Sequence, residues 1–398
     1  MLNLFQHLLF TNQTLKQVQG DETIEFIPTF TLPFRFFSMK KIFYFTILLS
    51  LCFIVYRCTN RNNLPVNIDL SAAVFQTLSE YNFFKGNMAE LVPNDGVIPY
   101  DLNTPLFSDY AEKARFVWMP KGTTAKYNDS LAFDFPVGAV LIKTFYYPHD
   151  FTDKSKGRKI MESRLLVKTE KGWDGRAYVW NDEQTEATLE IAGGRKDISW
   201  IHTDGKKRDL NYIIPNKNQC KGCHDYAGAM MPIGPKAKNM NKDFNYGDKT
   251  ENQLIHWASA GYLDFKSSPE TAPKLAVWND EKTGTLDQRA RAWLDINCAH
   301  CHNSKGPGNT SGLLLTSEET NLTAVGFCKT PVAAGRGSGN FNYDIVPGNP
   351  DSSILAFRMA SLDPGVMMPE LGRKMVHEEG LQLIKDWIVS MDKNSTCN

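Results

Sequence analysis

The spacing of apolar residues changes along this chain, and each change marks a different kind of structure. Residues 42–56 form an almost unbroken apolar run behind Met39-Lys40-Lys41. A basic start followed by ~15 apolar residues has the form of an export signal and is short for a membrane-spanning helix. Leu70, Val74, Leu78 and Tyr81 then recur at steps of three and four, which predicts a short amphipathic helix over 70–84. Past Pro93 the pattern shortens to period-two runs at 114–119, 139–147, 163–169, 177–180, 198–203 and 210–214. Turn pairs such as Lys121-Gly122, Gly193-Gly194 and Asp204-Gly205 separate them, so a β-sandwich-like or barrel-like domain is predicted over 95–215.

After Pro215 the strand signal fades and Gly, Pro, Asn and Lys become frequent. A helix is expected near 251–261, then a linker containing Ser267, Ser268, Pro269 and Pro273. Leu286, Ala290, Trp293 and Leu294 lie on one face of a helix over 286–296 that runs into Cys298. Leu381, Ile384, Trp387, Ile388 and Met391 give a closing helix.

Composition narrows the function. Lys plus Arg and Asp plus Glu each number 44, for a net charge of zero, so no nucleic-acid partner and no anionic membrane surface is expected. Aromatic residues make up 12%, enough to bury a flat cofactor as well as to fill a β-rich core. No nucleotide-binding loop, serine-nucleophile elbow or paired-His protease helix is present, which disfavours hydrolases and nucleotide-dependent enzymes.

The chemistry resides in two pentapeptides, Cys220-Lys221-Gly222-Cys223-His224 and Cys298-Ala299-His300-Cys301-His302. Cys-x-x-Cys-His is the signature of covalently attached haem: the thiols add to the vinyl groups and the adjacent imidazole takes the iron. Zinc or a redox dithiol is the competing reading. The roughly 75 residues between the pairs exceed the ~15–20 of compact zinc modules, and a His follows both pairs directly.

The sixth iron ligands come from elsewhere in the chain. For the second haem the candidate is Met368, 66 residues after His302 (368 − 302), with Met367 and His377 in reserve. For the first it is Met231, seven residues after His224 (231 − 224), with Met240, His256, His202 and His149 as alternatives. If none binds, that iron is open to peroxide or substrate chemistry.

Several further features stand apart. Asp101, Ser108, Asp109 and Arg115 line either a binding site or a capped turn. Arg336, in the glycine loop 335–339, suits a haem propionate or a plain loop. Cys328 and Cys397 either pair or stay free. Residues 1–38 match neither a signal n-region nor a folded domain, so translation is expected to start at Met39. Cys58 stands where a lipoprotein acceptor would, although Val55-Tyr56-Arg57 lacks the usual small residues; a lipid there or an uncleaved helix would tether the protein to a membrane.

The stretches 99–111 (PYDLNTPLFSDYA), 134–138 (DFPVG), 218–224 (NQCKGCH) and 232–237 (PIGPKA) resemble an exported family of dihaem c-type cytochromes of unassigned physiological role. Residues 297–303 (NCAHCHN) and 331–339 (PVAAGRGSG) continue the likeness. The stretch 346–355 (VPGNPDSSIL), with Met368-Pro369 and Trp387-Ile388, is similar to planctomycete-type cytochrome c domains, which use the Met of Met-Pro as haem ligand. The resemblance implies two haems c, electron transfer and a redox partner protein, and it supports Met368.

The expected fold is therefore α+β and multidomain. It comprises a leader (1–38), a signal peptide or anchor (39–58), a helical lead-in (59–94), a β-sandwich-like domain (95–215), a loop-rich first haem segment (216–282) and an α-helical class I-like cytochrome c domain (283–398). The expected function is electron transfer outside the cytoplasm, in the periplasm or on a membrane surface. The rivals are a haem enzyme reacting at the first haem, and a carbohydrate- or surface-binding β-module that carries haems.

Overall fold

Residues of opposite parity on each strand enter different cores, and that alternation organises the protein. The computed structural model describes residues 64–392 except 333, together with 44 and 397. The leader 1–38, Cys58 and, apart from Tyr44, the export segment 39–58 lie outside the described residues. The strands are β1 (Ile98–Tyr100), β2 (Glu112–Trp118), β3 (Ala125–Lys126), β4 (Val140–Pro148), β5 (Arg158–Thr169), β6 (Gly172–Trp180), β7 (Ala187–Glu190), β8 (Gly194–Ile201) and β9 (Lys207–Ile214). Six of them form one antiparallel sheet in the order β1-β2-β4-β5-β6-β7. β8 and β9 form a separate hairpin, and β3 pairs in parallel with Leu263–Asp264. The fold is α+β as expected, but a hairpin and irregular chain stand where a second full sheet was anticipated.

One face of the sheet presents Phe116, Val140, Ile142, Leu165, Val167, Tyr178 and Trp180, covered by Leu78, Tyr81, Phe83, Leu91 and Val97 from the preceding chain. This corrects the helix expected over 70–84. Only Leu78–Tyr81 coils, as a single 3-10 turn, while Leu70 is exposed. Asp69 accepts the backbone N–H groups of Ser71 and Ala72, a local turn that competes with helix, and Thr77 bridges to Thr188 on β7. The apolar residues spaced as if on a helix instead plug the sheet from a mostly extended strap.

The opposite face carries Ile98, Tyr100, Val117 and Leu141, packed with Phe133, Phe135, Met240, Leu254, Trp257 and Ile296. Farther along it, Phe145, Tyr147 and Met161 pack with Ile198, Trp200, Leu210 and Tyr212 of the hairpin. Charged residues separate the two clusters, and the cavity described below opens there.

The helices are α1 (Lys217–His224), α2 (Ala237–Met240), α3 (Gln253–Ser259), α4 (Leu286–Asn297), α5 (Leu322–Val325), α6 (Ile354–Ala360) and α7 (Glu378–Val389). None of the described helices is long and apolar enough to cross a membrane. α4 starts at a Thr285–Gln288 capping box and buries Ala290, Trp293 and Leu294, matching the expected face. α7 packs against it through Leu383, Ile384, Trp387 and Ile388, and Trp387 donates to Asp287 (2.8 Å). Gly380 sits where they meet: a Cβ there would lie 2.5 Å from Trp293 Nε1 and from His377 Nδ1. Thr59–Asn398 is one compact unit in which contacts cross every boundary expected within 59–398. Ile296 of α4 enters the core of the sheet, and buried Lys238 of α2 is paired with Asp295 of α4 (2.6 Å). Cys328 and Cys397 form a disulfide.

Candidate cofactor site

α1 opens on a capping box: Asn216 accepts the Gln219 backbone N–H and Gln219 accepts that of Asn216, both at 2.9 Å. Cys220 and Cys223, three residues apart on this helix, fall on one face. The helix rests on the sheet where β6 has Gly175, whose Cβ, were there one, would sit 3.6 Å from the Cβ of Cys220.

His224 closes α1 with its Nδ1 2.7 Å from the Met231 carbonyl oxygen. A carbonyl only accepts, so the ring proton sits on Nδ1 and the Nε2 lone pair is free. Burial also pushes the imidazole down to about 4, keeping it neutral. A neutral ring held through Nδ1 is the form in which histidine ligates metals. The Met231 N–H in turn donates to the His224 carbonyl (2.7 Å), so Met231 is tied by both main-chain groups to the residue it was expected to face across the iron.

The second motif repeats the logic at the end of α4. Cys298 N–H donates to the Leu294 carbonyl (2.8 Å), and the His302 N–H to that of Cys298 (2.9 Å), so the coil continues through the motif. Gly306 is required here, because a Cβ would lie 2.4 Å from the Cys301 carbonyl oxygen. His302 Nδ1 lies 3.3 Å from Ser311 Oγ, whose own proton goes to the Gly308 carbonyl (2.7 Å). That assigns the proton of this contact to the imidazole, and the ring also hydrogen-bonds the Leu313 backbone.

Cys220, Cys223, Cys298 and Cys301 are free thiols. Burial pushes Cys298 and Cys301 up to about 12, unlike the depressed thiols of redox dithiols. Among the described residues no three His, Cys, Asp or Glu side chains converge as a metal cluster. The two motifs adjoin, since Ala227 N–H donates to the Lys305 carbonyl (2.8 Å) and the Lys305 ammonium lies over the Tyr226 ring.

A cavity of about 370 Å³ opens beside them, lined by Cys220, Cys223, His224, His300 and the loop carrying Met367 and Met368. Its sheet wall supplies Arg115, Lys143 and Arg164, and His377 also borders it. Met231 instead lines a smaller neighbouring cavity that shares Cys223, His224 and His300. His302 lines neither, but Arg358 connects it to Met368: the Arg358 carbonyl accepts the Met368 N–H (3.0 Å). Burial, aided by the Arg358 charge, lowers the His302 imidazole.

The loop is held from the β-rich segment. Asp109 accepts the backbone N–H groups of Lys374 and Met375, at 2.7 and 2.8 Å, and Arg373 donates to the Met368 carbonyl (2.9 Å). Asp109 and Tyr110 both have left-handed backbones (φ 50° and 65°), which aims the carboxylate at this loop and the phenol at Glu379. Ser108, Asp109 and Arg115 of the 101–115 cluster thus line the cavity and Asp109 caps its loop, while Asp101 pairs with Arg115. None of the alternatives to Met231 lines either cavity: Met240 is in the core, His256 pairs with Glu251, His202 packs on Tyr110, and His149 lies apart from both. Arg336 pairs with Asp363 (2.7 Å).

Sequence reading missed Lys143 and His300. The signal for Lys143 was a lone Lys at an inward position of an apolar strand, Val140-Leu141-Ile142-Lys143-Thr144-Phe145. Comparison with models of protein families, with curated proteins and with solved structures found no match.

Proposed function

We propose that this protein is an exported dihaem c-type cytochrome that carries electrons. One haem c would be held by Cys220, Cys223 and His224, the other by Cys298, Cys301 and His302. The observation that carries the reading is the state of His224, which commits Nδ1 to the Met231 carbonyl and keeps Nε2 free beside two free thiols, with His302 set beside its own pair of free thiols. Bound haem would supply one-electron chemistry. The residues bind and orient it: α1 and the end of α4 present the thiols, and the Met231 carbonyl and Ser311 fix the imidazoles.

Met368 is the favoured sixth ligand of the second haem, on a loop tied to α6 through Arg358 and to β2's approach through Asp109. Both faces of the sheet are covered, which favours its role as a wall of the haem site over a surface-binding module. The Cys328–Cys397 disulfide fits an oxidising compartment and so supports export. One observation favours the enzyme reading instead: with its main chain tied to His224, Met231 is poorly placed to seal the first iron, which would then remain reactive.

Carbon monoxide and potentiometry separate these readings. If both irons are sealed, as a pure carrier requires, the wild-type reduced protein binds no carbon monoxide, while Met368→Ala binds it at one haem of two and lowers that haem's potential. Binding at one haem of the wild type, with steady peroxide consumption, would make this a haem enzyme.

A further inference from the structure

Three cations stand in line across the sheet on the cavity side. Arg115 of β2 is the register partner of Lys143 of β4, and Lys143 is the partner of Arg164 of β5. Like charges directly opposite one another destabilise a sheet, so the row is unfavourable unless something anionic lies against it. The chain supplies only part of that charge. Asp101 meets Arg115 (2.8 Å) and Glu162 meets Arg164 (2.5 Å), whereas among the described residues the central Lys143 amine is in no ion pair or hydrogen bond; it rests over the Phe145 ring, and burial and the flanking guanidiniums push it well below the usual lysine range. Arg115, only 5% exposed, also has Nη2 buried without a partner. A buried unpaired guanidinium nitrogen is costly, and in a cavity wall it marks the place of an absent acceptor.

The row's surroundings define that acceptor. It lies between two apolar clusters on the same face, and the cavity it borders also contains Cys220, Cys223 and His224. A ligand here meets apolar walls on two sides and a line of three cations, a surface suited to a flat apolar body with carboxylates on its edge. Resting on the haem reading above, we propose that Arg115, Lys143 and Arg164 form the seat for the propionate groups of the haem carried by Cys220 and Cys223. Arginine suits this role through paired N–H donors, lysine as a point charge.

The test uses the exported holoprotein, as wild type, Lys143→Gln and Lys143→Arg, each with haem counted by mass and both potentials followed by redox titration. Removing a cation beside a haem disfavours its reduced state. Lys143→Gln should therefore lower the potential of one haem, the one lost in a Cys220→Ser/Cys223→Ser variant, and leave the other unchanged. Lys143→Arg should restore the wild-type titration. Superimposable titrations of wild type and Lys143→Gln, both fully loaded, would overturn the proposal while leaving the haem reading intact, as would a shift confined to the other haem. If added nitrite or phosphate perturbs the first haem's spectrum in the wild type but not in Lys143→Gln, the row serves an external anion and the proposal fails. A wild-type protein without covalent haem removes both.

Discussion

His224 and Met231 are joined by two main-chain contacts of 2.7 Å, one of them through the imidazole, and this changes what Met231 is for. Its carbonyl, present whatever the side chain, orients the histidine. Met231→Ala should therefore leave both haems attached and leave the first haem's potential and its response to carbon monoxide as they are in the wild type. New carbon monoxide binding at one haem would instead make the Met231 thioether a ligand. His377 offers a second test. Its Nδ1 accepts from Trp293 Nε1 (3.1 Å), and burial pushes the imidazole down to about 4. The folded state thus binds fewer protons here than the unfolded chain, whose His titrates near 6.5. This contribution to stability is complete above pH ~6.5 and is lost as pH falls toward 4. In His377→Asn, which keeps an acceptor for Trp293, urea unfolding at stepped pH should show a shallower decline across that window; an unchanged slope would contradict the assignment. The motif residues stand out in the sequence because the chemistry proposed for them is local. Lys143 does not, because its meaning comes from Arg115 and Arg164 beside it in register.

Elements whose pattern matches a face they bury were read well. Helix α4 and helix α7 appear where Leu286, Trp293, Ile384 and Trp387 placed them, because those side chains pack against one another. Strands β2, β4, β5, β6, β8 and β9 coincide with the expected runs for the same reason, whereas β3 and β7 had no counterpart among them. The helix at 70–84 failed because Leu78 and Tyr81 meet a sheet distant in sequence, and Asp69 and Thr77 bind the chain into turns and bridges. The crossing of α4 and α7 carries its own prediction. A methyl at Gly380 would overlap Trp293 and His377, so Gly380→Ala should destabilise the protein by about 1–3 kcal/mol, read as a lower urea midpoint at unchanged m-value. Unchanged stability would mean that the two helices separate more easily than their packing implies.

At the scale of the whole molecule, sequence order suggested a β-domain followed by two haem segments, but the chain folds these together. The sheet, the end of α1, the end of α4 and the loop carrying Met368 all border one cavity. No single-sequence pattern reports such long-range convergence, because each wall is locally an ordinary strand, helix or turn. The convergence gives the sheet a role the sequence did not suggest, as the charged wall of the cavity in which the haem is proposed to sit. The two-haem reading is tested most directly by the mass of the protein produced with a c-type haem attachment system. It predicts a chain heavier by two haems, reduced to one in Cys220→Ser/Cys223→Ser and likewise in Cys298→Ser/Cys301→Ser. An unmodified apo mass, or zinc in place of haem, would contradict it.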